Sequence, residues 1–397
     1  MERVKMEDWI CQEEGIQNLT REVLQDLQLF KLNSLLIKRS QRSLNLAAPS
    51  SLSSLSQLSE LPFTTAADLA DHPGQFLSCS QAQISRVISQ ETSGTTGEAK
   101  RVFYTEGDLR HTVDFFASGI SEMLSSGEKC LIAFPFSGPM GLGDLICRAV
   151  RSLGGIPVPA DFRHGFSPVI NLIHQEQPEA YIGFSVPLLS AYRLYGPGFP
   201  IQKALLSGDT CPKGVLSSLP MPCFPHYGSR ETALGGAVTC QVHEGMHLRE
   251  NHIIAEIIDE YGHPVPDGTW GELVITTIGM EAMPLLRYRT GDYTRILPDP
   301  CPCGGVTRRL DRVVRQDHIP VSMEKLDDAL FSVPWVVDFK ASFDGCLNLE
   351  ISALLKGLDT VLFHCIKALY PDIPLNIHTR LARKTDLPAY AGKRQIL

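Results

Sequence analysis

From residue 108 to residue 209 amphipathic helical stretches and short apolar runs follow one another without a break, and this alternation constrains the fold more than any other feature. DLRHTVDFFASGISEML carries apolar residues at helical spacing, and CLIAFPF reads as a buried strand. LGDLICRAVRSLG, FSPVINLIHQEQ and VPLLSAYRLY continue the helices, while IPVPA, AYIGFS and KALLSGD continue the strands. Strands joined through helices run parallel, and a parallel sheet is covered on both faces. Ligand sites in such sheets lie beyond the carboxyl ends of the strands.

The flanks differ from this middle. Leu24, Leu27, Leu29, Leu32 and Leu36 give the first 60 residues a helical pattern, and the regular leucines of SLSSLSQLSELP predict an ordered approach to the core. Thr65 is placed to cap a short helix in LPFTTAADL. After about residue 235 the texture turns to short strands with turn signals, HIIAEIID, EYGHPVPDGTWG and ELVITTI, and a β-rich subdomain is expected over about 236–310. Residues 311–397, with VVDFKASFD, CLNLEISALL and the helical DTVLFHCIKALY, predict a small α+β C-terminal domain, with the joint near Leu310–Arg315. The expected fold class is therefore α/β, a large N-terminal domain of mostly parallel sheet flanked by helices and joined by the β-rich part, followed by the small tail.

With 397 residues, 43% of them apolar, the chain has material for a large core. Its net charge of −8 and the lack of a long basic run argue against a nucleic-acid partner. No apolar stretch approaches the roughly 20 residues that cross a bilayer, and the opening MERVKMEDWICQEEG is too acidic for a secretory signal. A cytoplasmic protein without a membrane partner is the expectation. Eleven cysteines, an odd number, point to reduced thiols rather than a disulfide framework.

Three short motifs carry chemistry. ETSGTTGEAK, residues 91–100, brackets contiguous hydroxyls with glycines and ends on a lysine. Such a loop lets backbone N–H groups approach phosphate oxygens while hydroxyls and an ammonium add donors and charge. Its spacing is neither that of the P-loop nor that of a dinucleotide fingerprint, and a polar turn is the bland reading. HYGSRET at 226–232 and RYRTGDYTRI at 287–296 follow in order.

Taken together, and with LPFTTAADL, LLSGD, GELVITTIGMEAMPLLRYRTGDYT and CPCG, these motifs resemble the adenylate-forming superfamily, and within it the phenylacetate-CoA ligases, over about residues 60–310. The resemblance implies an AMP-forming ligase that activates a small, possibly aromatic, organic acid with ATP and Mg²⁺ and passes it to coenzyme A. It assigns phosphate contact to Ser93, Gly94, Thr95, Thr96, Gly97 and Lys100. Ser207, Gly208, Asp209, His226, Tyr227, Gly228, Ser229 and Arg230 would line the nucleotide and acyl pocket. Glu231 would hold Mg²⁺, a hard ion suited to carboxylate and phosphate oxygens. Asp292 would accept from both ribose hydroxyls, and Arg315 would reach the ribose. Lys393, in the Gly-Lys pair of PAYAGKRQIL, would enter the site during adenylation. Lys393, Glu231 and Lys100 are thus the expected catalytic residues, the tail is expected to rotate between the half-reactions, and a homodimer is the family expectation.

The family's proline before the loop lysine is Ala99 here, the usual hydroxyl before the glutamate is Arg230, and the segment RRLDRVVRQDHIPVSMEKLDDAL lacks the usual glycine and is shorter. These departures keep two rivals open, an adenylyltransferase that stops at AMP transfer, as in deazaflavin-coenzyme adenylylation, and a non-catalytic nucleotide-binding subunit. Phe134, Phe136, Met140, Phe184 and Tyr227 are candidates for an apolar acyl pocket, with plain core as the alternative for each.

CPCG at 301–304 offers two thiolates in one turn, and TCQVHEGMHLREN offers Cys240, His243 and His247. Cys240, His247, Cys301 and Cys303 would make a closed Cys₃His set of the structural zinc type, with His243 as the alternate nitrogen. His164 and His364 are read as ordinary.

Overall fold

The computed structural model describes residues 3–41, 49–90, 100–315, 319–357, 359–383 and 394–397. They divide into two compact units, one built from Met1–Glu122 with His226–Arg315, the other from Met123–Pro225 with Gln316–Leu397.

In the second unit the alternating region forms the parallel sheet that its periodicity predicts. Across the sheet lie Cys223–Tyr227, of which the residues to Pro225 belong here, then Lys203–Leu206, Ala180–Gly183, Lys129–Ala133 and Ile156–Pro159. Every neighbouring pair is parallel, as with Leu131 opposite Tyr181 and Tyr181 opposite Ala204. All four residues of Ala180–Gly183 are buried, as a strand covered on both faces requires.

The tail forms the expected α+β arrangement. Val336–Phe343 and Leu347–Ala353 pair antiparallel, and Leu375–Leu381 joins them parallel after the helix Asp359–Leu369. Its apolar face is covered by the preceding segment. Leu188, Leu189 and Ala191 of the helix Ser185–Tyr195 and Val215 of Lys213–Ser218 share one buried cluster with Leu326, Leu330, Phe331, Val336 and Val337. A fully buried Leu or Phe contributes about 1.5–3 kcal/mol, so this shared core holds the tail firmly. Ser190 Oγ donates to the Val337 carbonyl at 2.6 Å, and the Arg193 guanidinium donates to the carbonyls of Val336 and Phe331. Gly214 has no room for a side chain, because a Cβ would collide with the Asp328 carbonyl. The sequence reading drew its boundary at 310/311; the packing of the described residues draws it after Arg315 and groups the tail with 123–225.

In the first unit Ile253–Ile258, Gly271–Thr277, Tyr288–Thr294 and Val314–Arg315 make an antiparallel sheet in that order. The end of Cys223–Tyr227 pairs antiparallel with Ala237–Val238, which leads on to Met246–Leu248 and Arg309–Leu310. Arg86–Gln90 and Lys100–Tyr104 form an antiparallel hairpin. Thr65 caps the helix Ala66–Asp71 through a reciprocal box with Asp68, as expected, and Leu52, Leu58 and Leu61 bury the Ser/Leu-rich stretch in a core shared with the helix Arg21–Gln41. Among the described residues no helix is long and apolar enough to cross a membrane.

Candidate functional site

Lys100 opens a strand directly after the hydroxyl-rich segment and places its ammonium in an ion pair with Glu231. Its Nζ also donates to the Tyr288 hydroxyl at 3.2 Å, and that hydroxyl donates to Glu231 Oε1 at 3.2 Å, closing a triangle. Burial by itself raises the Glu231 carboxyl, but the Lys100 charge and its hydrogen bond outweigh that and hold the carboxyl below its ordinary 4.5. Glu231 is therefore an anion in the interior. Tyr288, pushed up by burial and by the Glu231 charge, stays a phenol.

The segment that delivers Glu231 is shaped by small residues and caps. Gly228 admits no Cβ, which would collide with the Leu234 carbonyl. The 3₁₀ turn Arg230–Thr232 begins after Ser229, whose N–H donates to Thr232 Oγ1 at 2.9 Å, and Tyr104 fixes the turn from outside by donating to the Arg230 carbonyl at 2.7 Å. His226 lies between the rings of Phe115 and Phe116, with centroids at 5.7 and 5.9 Å, and burial lowers it to about 4. It is a neutral core histidine.

Asp292 arrives on the neighbouring sheet through an irregularity. Opposite Glu272 and Val274 the partner strand advances from Arg289 to Tyr293, so Thr290 and Gly291 bulge out of register. Thr290 Oγ1 fills the gap, donating to the Leu273 carbonyl at 2.6 Å and accepting from Asp292 N at 3.0 Å, while Gly291 takes φ 72°. This is the local reason for a Thr-Gly-Asp sequence. Asp292 Oδ2 then accepts from the Tyr227 hydroxyl at 2.9 Å, and Arg315, its ladder partner, stands 3.8 Å from Oδ1. The first unit thus brings together Lys100, Tyr227, Gly228, Ser229, Arg230, Glu231, Asp292 and Arg315.

Ser207, Gly208 and Asp209 belong to the second unit. Gly208 has φ 88°, and a Cβ there would meet the rings of Phe184 and Phe134 at 2.7 and 2.8 Å. Those two rings pack edge to face at 5.0 Å and are buried, so their role in the described structure is to floor this loop. The Asp209 carboxylate accepts from Thr210 N at 2.9 Å and from Arg394 N at 2.8 Å. Ser93, Gly94, Thr95, Thr96, Gly97 and Lys393 lie outside the described residues.

Cys240, His247, Cys301 and Cys303 are all buried, with their donor atoms within 4.8 Å of one another. Cys240 Sγ and Cys301 Sγ are 3.7 Å apart, and Cys303 Sγ is 3.5 Å from His247 Nε2. A tetrahedron with Zn–S bonds of about 2.3 Å has S–S edges of about 3.8 Å, so the donor set matches that ion in size and type. His243, the alternate nitrogen, is not among this group. His247 Nδ1 lies 2.9 Å from Thr307 Oγ1, which donates to Glu7 Oε1 at 2.8 Å. The same carboxylate oxygen accepts from the N–H groups of Val306 and Thr307. A chain of this kind fixes the imidazole's orientation and leaves Nε2 for a metal. Burial lowers His247 to about 4 and raises Cys240 to about 12.

Tyr104, Tyr288, Glu7 and Thr307 were not singled out from the sequence. Tyr288 stands inside the RYRTGD motif and could have been found there; the other three lie far from the groups they serve and carry no local signal.

No family model matches the chain. It is 29% identical over 359 residues to the phenylacetate-coenzyme A ligase of Thermus thermophilus, covering 81% of this chain and 78% of that protein. The phenylacetate-coenzyme A ligase of Escherichia coli is 28% identical over 291 residues, and the chain spans 63% of its length. Among solved structures, a 2-hydroxyisobutyryl-CoA ligase in a postadenylation state superposes with a TM-score of 0.74 over 93% of this chain and 87% of its own, at 17% identity. That likeness shows a shared fold.

Proposed function

We infer that this chain, a phenylacetate-CoA-ligase-like member of the adenylate-forming superfamily, is an AMP-forming ligase that joins a small organic acid to coenzyme A. The observation that carries the reading is the buried Lys100–Glu231 pair beside the Tyr227–Asp292 hydrogen bond. Lys100 and Glu231 neutralise each other in the free protein. With nucleotide present, the ammonium turns to triphosphate oxygens and the carboxylate holds the Mg²⁺ that accompanies them. Each half of the pair therefore exchanges one partner for another of the same sign, which limits the cost of desolvation. Asp292, oriented by Tyr227, accepts from the ribose hydroxyls, with Arg315 alongside.

In the first half-reaction an oxygen of the substrate carboxylate bonds to the α-phosphorus of ATP, and the bond to the bridging oxygen breaks to release pyrophosphate. The protein contributes alignment and charge neutralisation. Ser93, Thr95 and Thr96 hold phosphate, and Lys393 meets the charge shared between carboxylate and α-phosphate. In the second half-reaction the coenzyme A thiolate attacks the acyl carbonyl and AMP departs. Tyr227 and Gly228 supply pocket wall beside Asp292, and the apolar character of the candidates favours an apolar acid. The buried core that the tail shares with residues 185–219 argues against the free rotation expected of residues 311–397, and the protein works in the cytoplasm.

The Cys₃His group holds a structural zinc ion that ties the turn at 301–304 to the segment 240–247. The size of the donor set and the Thr307–Glu7 support behind His247 favour this reading. Elemental analysis is expected to find one zinc per chain, reduced in Cys303→Ser; purified wild-type protein that is folded and free of metal would refute it. For the activity, pyrophosphate release is measured over a panel of carboxylic acids with ATP, Mg²⁺ and coenzyme A. One or a few acids are expected to give release together with AMP and a thioester, and a panel without release at millimolar ATP would refute the reading.

A further inference from the structure

The strand Gly271–Thr277 is buried along its whole length and carries a single charged side chain, Glu272, which is 6% exposed. A carboxylate is not taken out of water without partners that offset the loss. The partners of this one lie on the neighbouring strand. Arg289 donates to Oε2 through Nε at 3.0 Å and through Nη2, and Gly291 N donates to Oε1 at 3.2 Å. Arg289 is itself held in place, its N–H on the Thr64 carbonyl at 2.9 Å and its guanidinium 5.6 Å from the ring of Phe63.

The two donors bracket the bulge that precedes Asp292. Arg289 stands in register opposite Val274, Tyr293 stands opposite Glu272, and Thr290 and Gly291 are displaced between them. One fastening comes from the bulged strand, where Thr290 Oγ1 donates to the Leu273 carbonyl at 2.6 Å. The other comes from the facing strand, where Glu272 sets one oxygen on Arg289 and the other on Gly291. Asp292 is the first residue after the bulge. Successive side chains of a strand point to opposite faces, so a shift of register would turn its carboxylate away from Tyr227.

We propose that Glu272 is a positioning residue for ribose recognition, locking the bulge that aims Asp292 at the sugar. The inference rests on the reading of Asp292 given above. Discrimination between ribose and 2′-deoxyribose then depends on Glu272 acting through Asp292. Glutamine cannot take its place. With its carbonyl oxygen on Gly291 N, the amide nitrogen would face the Arg289 guanidinium, donor against donor, and the reverse orientation would set that nitrogen against the Gly291 N–H.

The test compares two nucleotides on the full chain. Dissociation constants for ATP and for 2′-deoxy-ATP, each with Mg²⁺, are measured by titration calorimetry. Wild type is expected to prefer ATP about tenfold, because the deoxy sugar leaves one bond to a charged acceptor unmade. Glu272→Ala is expected to reduce that preference to less than about twofold, chiefly by weakening ATP, and Glu272→Gln to reduce it to about threefold. Circular dichroism checks the fold; if Glu272→Ala does not fold, the isosteric Glu272→Gln carries the test. A preference kept at about tenfold in the folded variants, including one kept because both nucleotides weaken equally, would overturn the proposal. Failure of the underlying reading shows itself separately, as wild-type protein that binds the two nucleotides alike or binds neither.

Discussion

Two buried clusters of carboxylates, one in each unit, are balanced in opposite ways. In the first unit Glu231 meets one lysine, and its carboxyl is held below the ordinary range although burial pushes the other way. In the second, Asp327 and Asp338 share the single guanidinium of Arg394. Burial, with Asp209 and Asp338 adding to it, raises Asp327 to about 7 against the pull of Arg394. The partner of Glu231 is a flexible ammonium that a ligand can draw away. The partner of Asp327 is a planar fork held also by a carbonyl and two rings. A pair built on a point charge is easier to part than one built on a planar fork.

The comparison breaks most visibly if the lysine pair is not catalytic. Glu231→Gln is expected to lower the rate of acyl-adenylate formation by about 100- to 1000-fold, the range for removing one preorganised charge contact, and to lower the melting temperature because the Lys100 ammonium loses its counter-charge. Arg394→Ala is expected to cost about 3–5 kcal/mol because it strands buried carboxylates; a denaturant titration with an unchanged midpoint would contradict the joint. Asp292→Asn, which leaves one oxygen acceptor, is expected to raise KM for ATP by about tenfold with less change in kcat, read from initial rates.

The smallest effect is the sharpest in sign. Asp327 has a folded value above its ordinary 3.8, so its contribution to stability is fully present below about 4 and is lost as pH rises through about 7. Glu231, lowered from 4.5, contributes above that value and loses its contribution as pH falls through its folded value. Asp327→Asn should therefore flatten the stability curve between about pH 4 and 7, whereas Lys100→Met should reduce the loss on the acid side below 4.5. Melting temperatures across that range check both, and a single common slope for the two variants would remove the distinction.

Much of this was readable before any coordinates. The alternation over 108–209 predicts the parallel sheet because a strand covered on both faces and a helix covered on one leave different apolar periods. Thr65 was recognised as a cap because its hydroxyl stands just before a short helical run, and its partner Asp68 came from the structure. The Cys₃His group was assembled from the residue types themselves, since thiols and imidazoles so close in sequence have few other uses. The 207–209 and 226–232 segments were found as motifs, yet the commitment of the Asp209 carboxylate to Arg394 was not, because the two are 185 residues apart.

The sequence alone determined which elements form and which side chains are candidates for chemistry, because hydrophobic period, capping and ligand type are local properties written over a few residues. The tertiary structure decided which charges neutralise one another and where the tail is packed. Those outcomes depend on surfaces that meet only after folding, as Ser190 meets Val337 and Arg394 meets Asp209, and the energy of a buried charge is set by every neighbour around it rather than by its place in the chain.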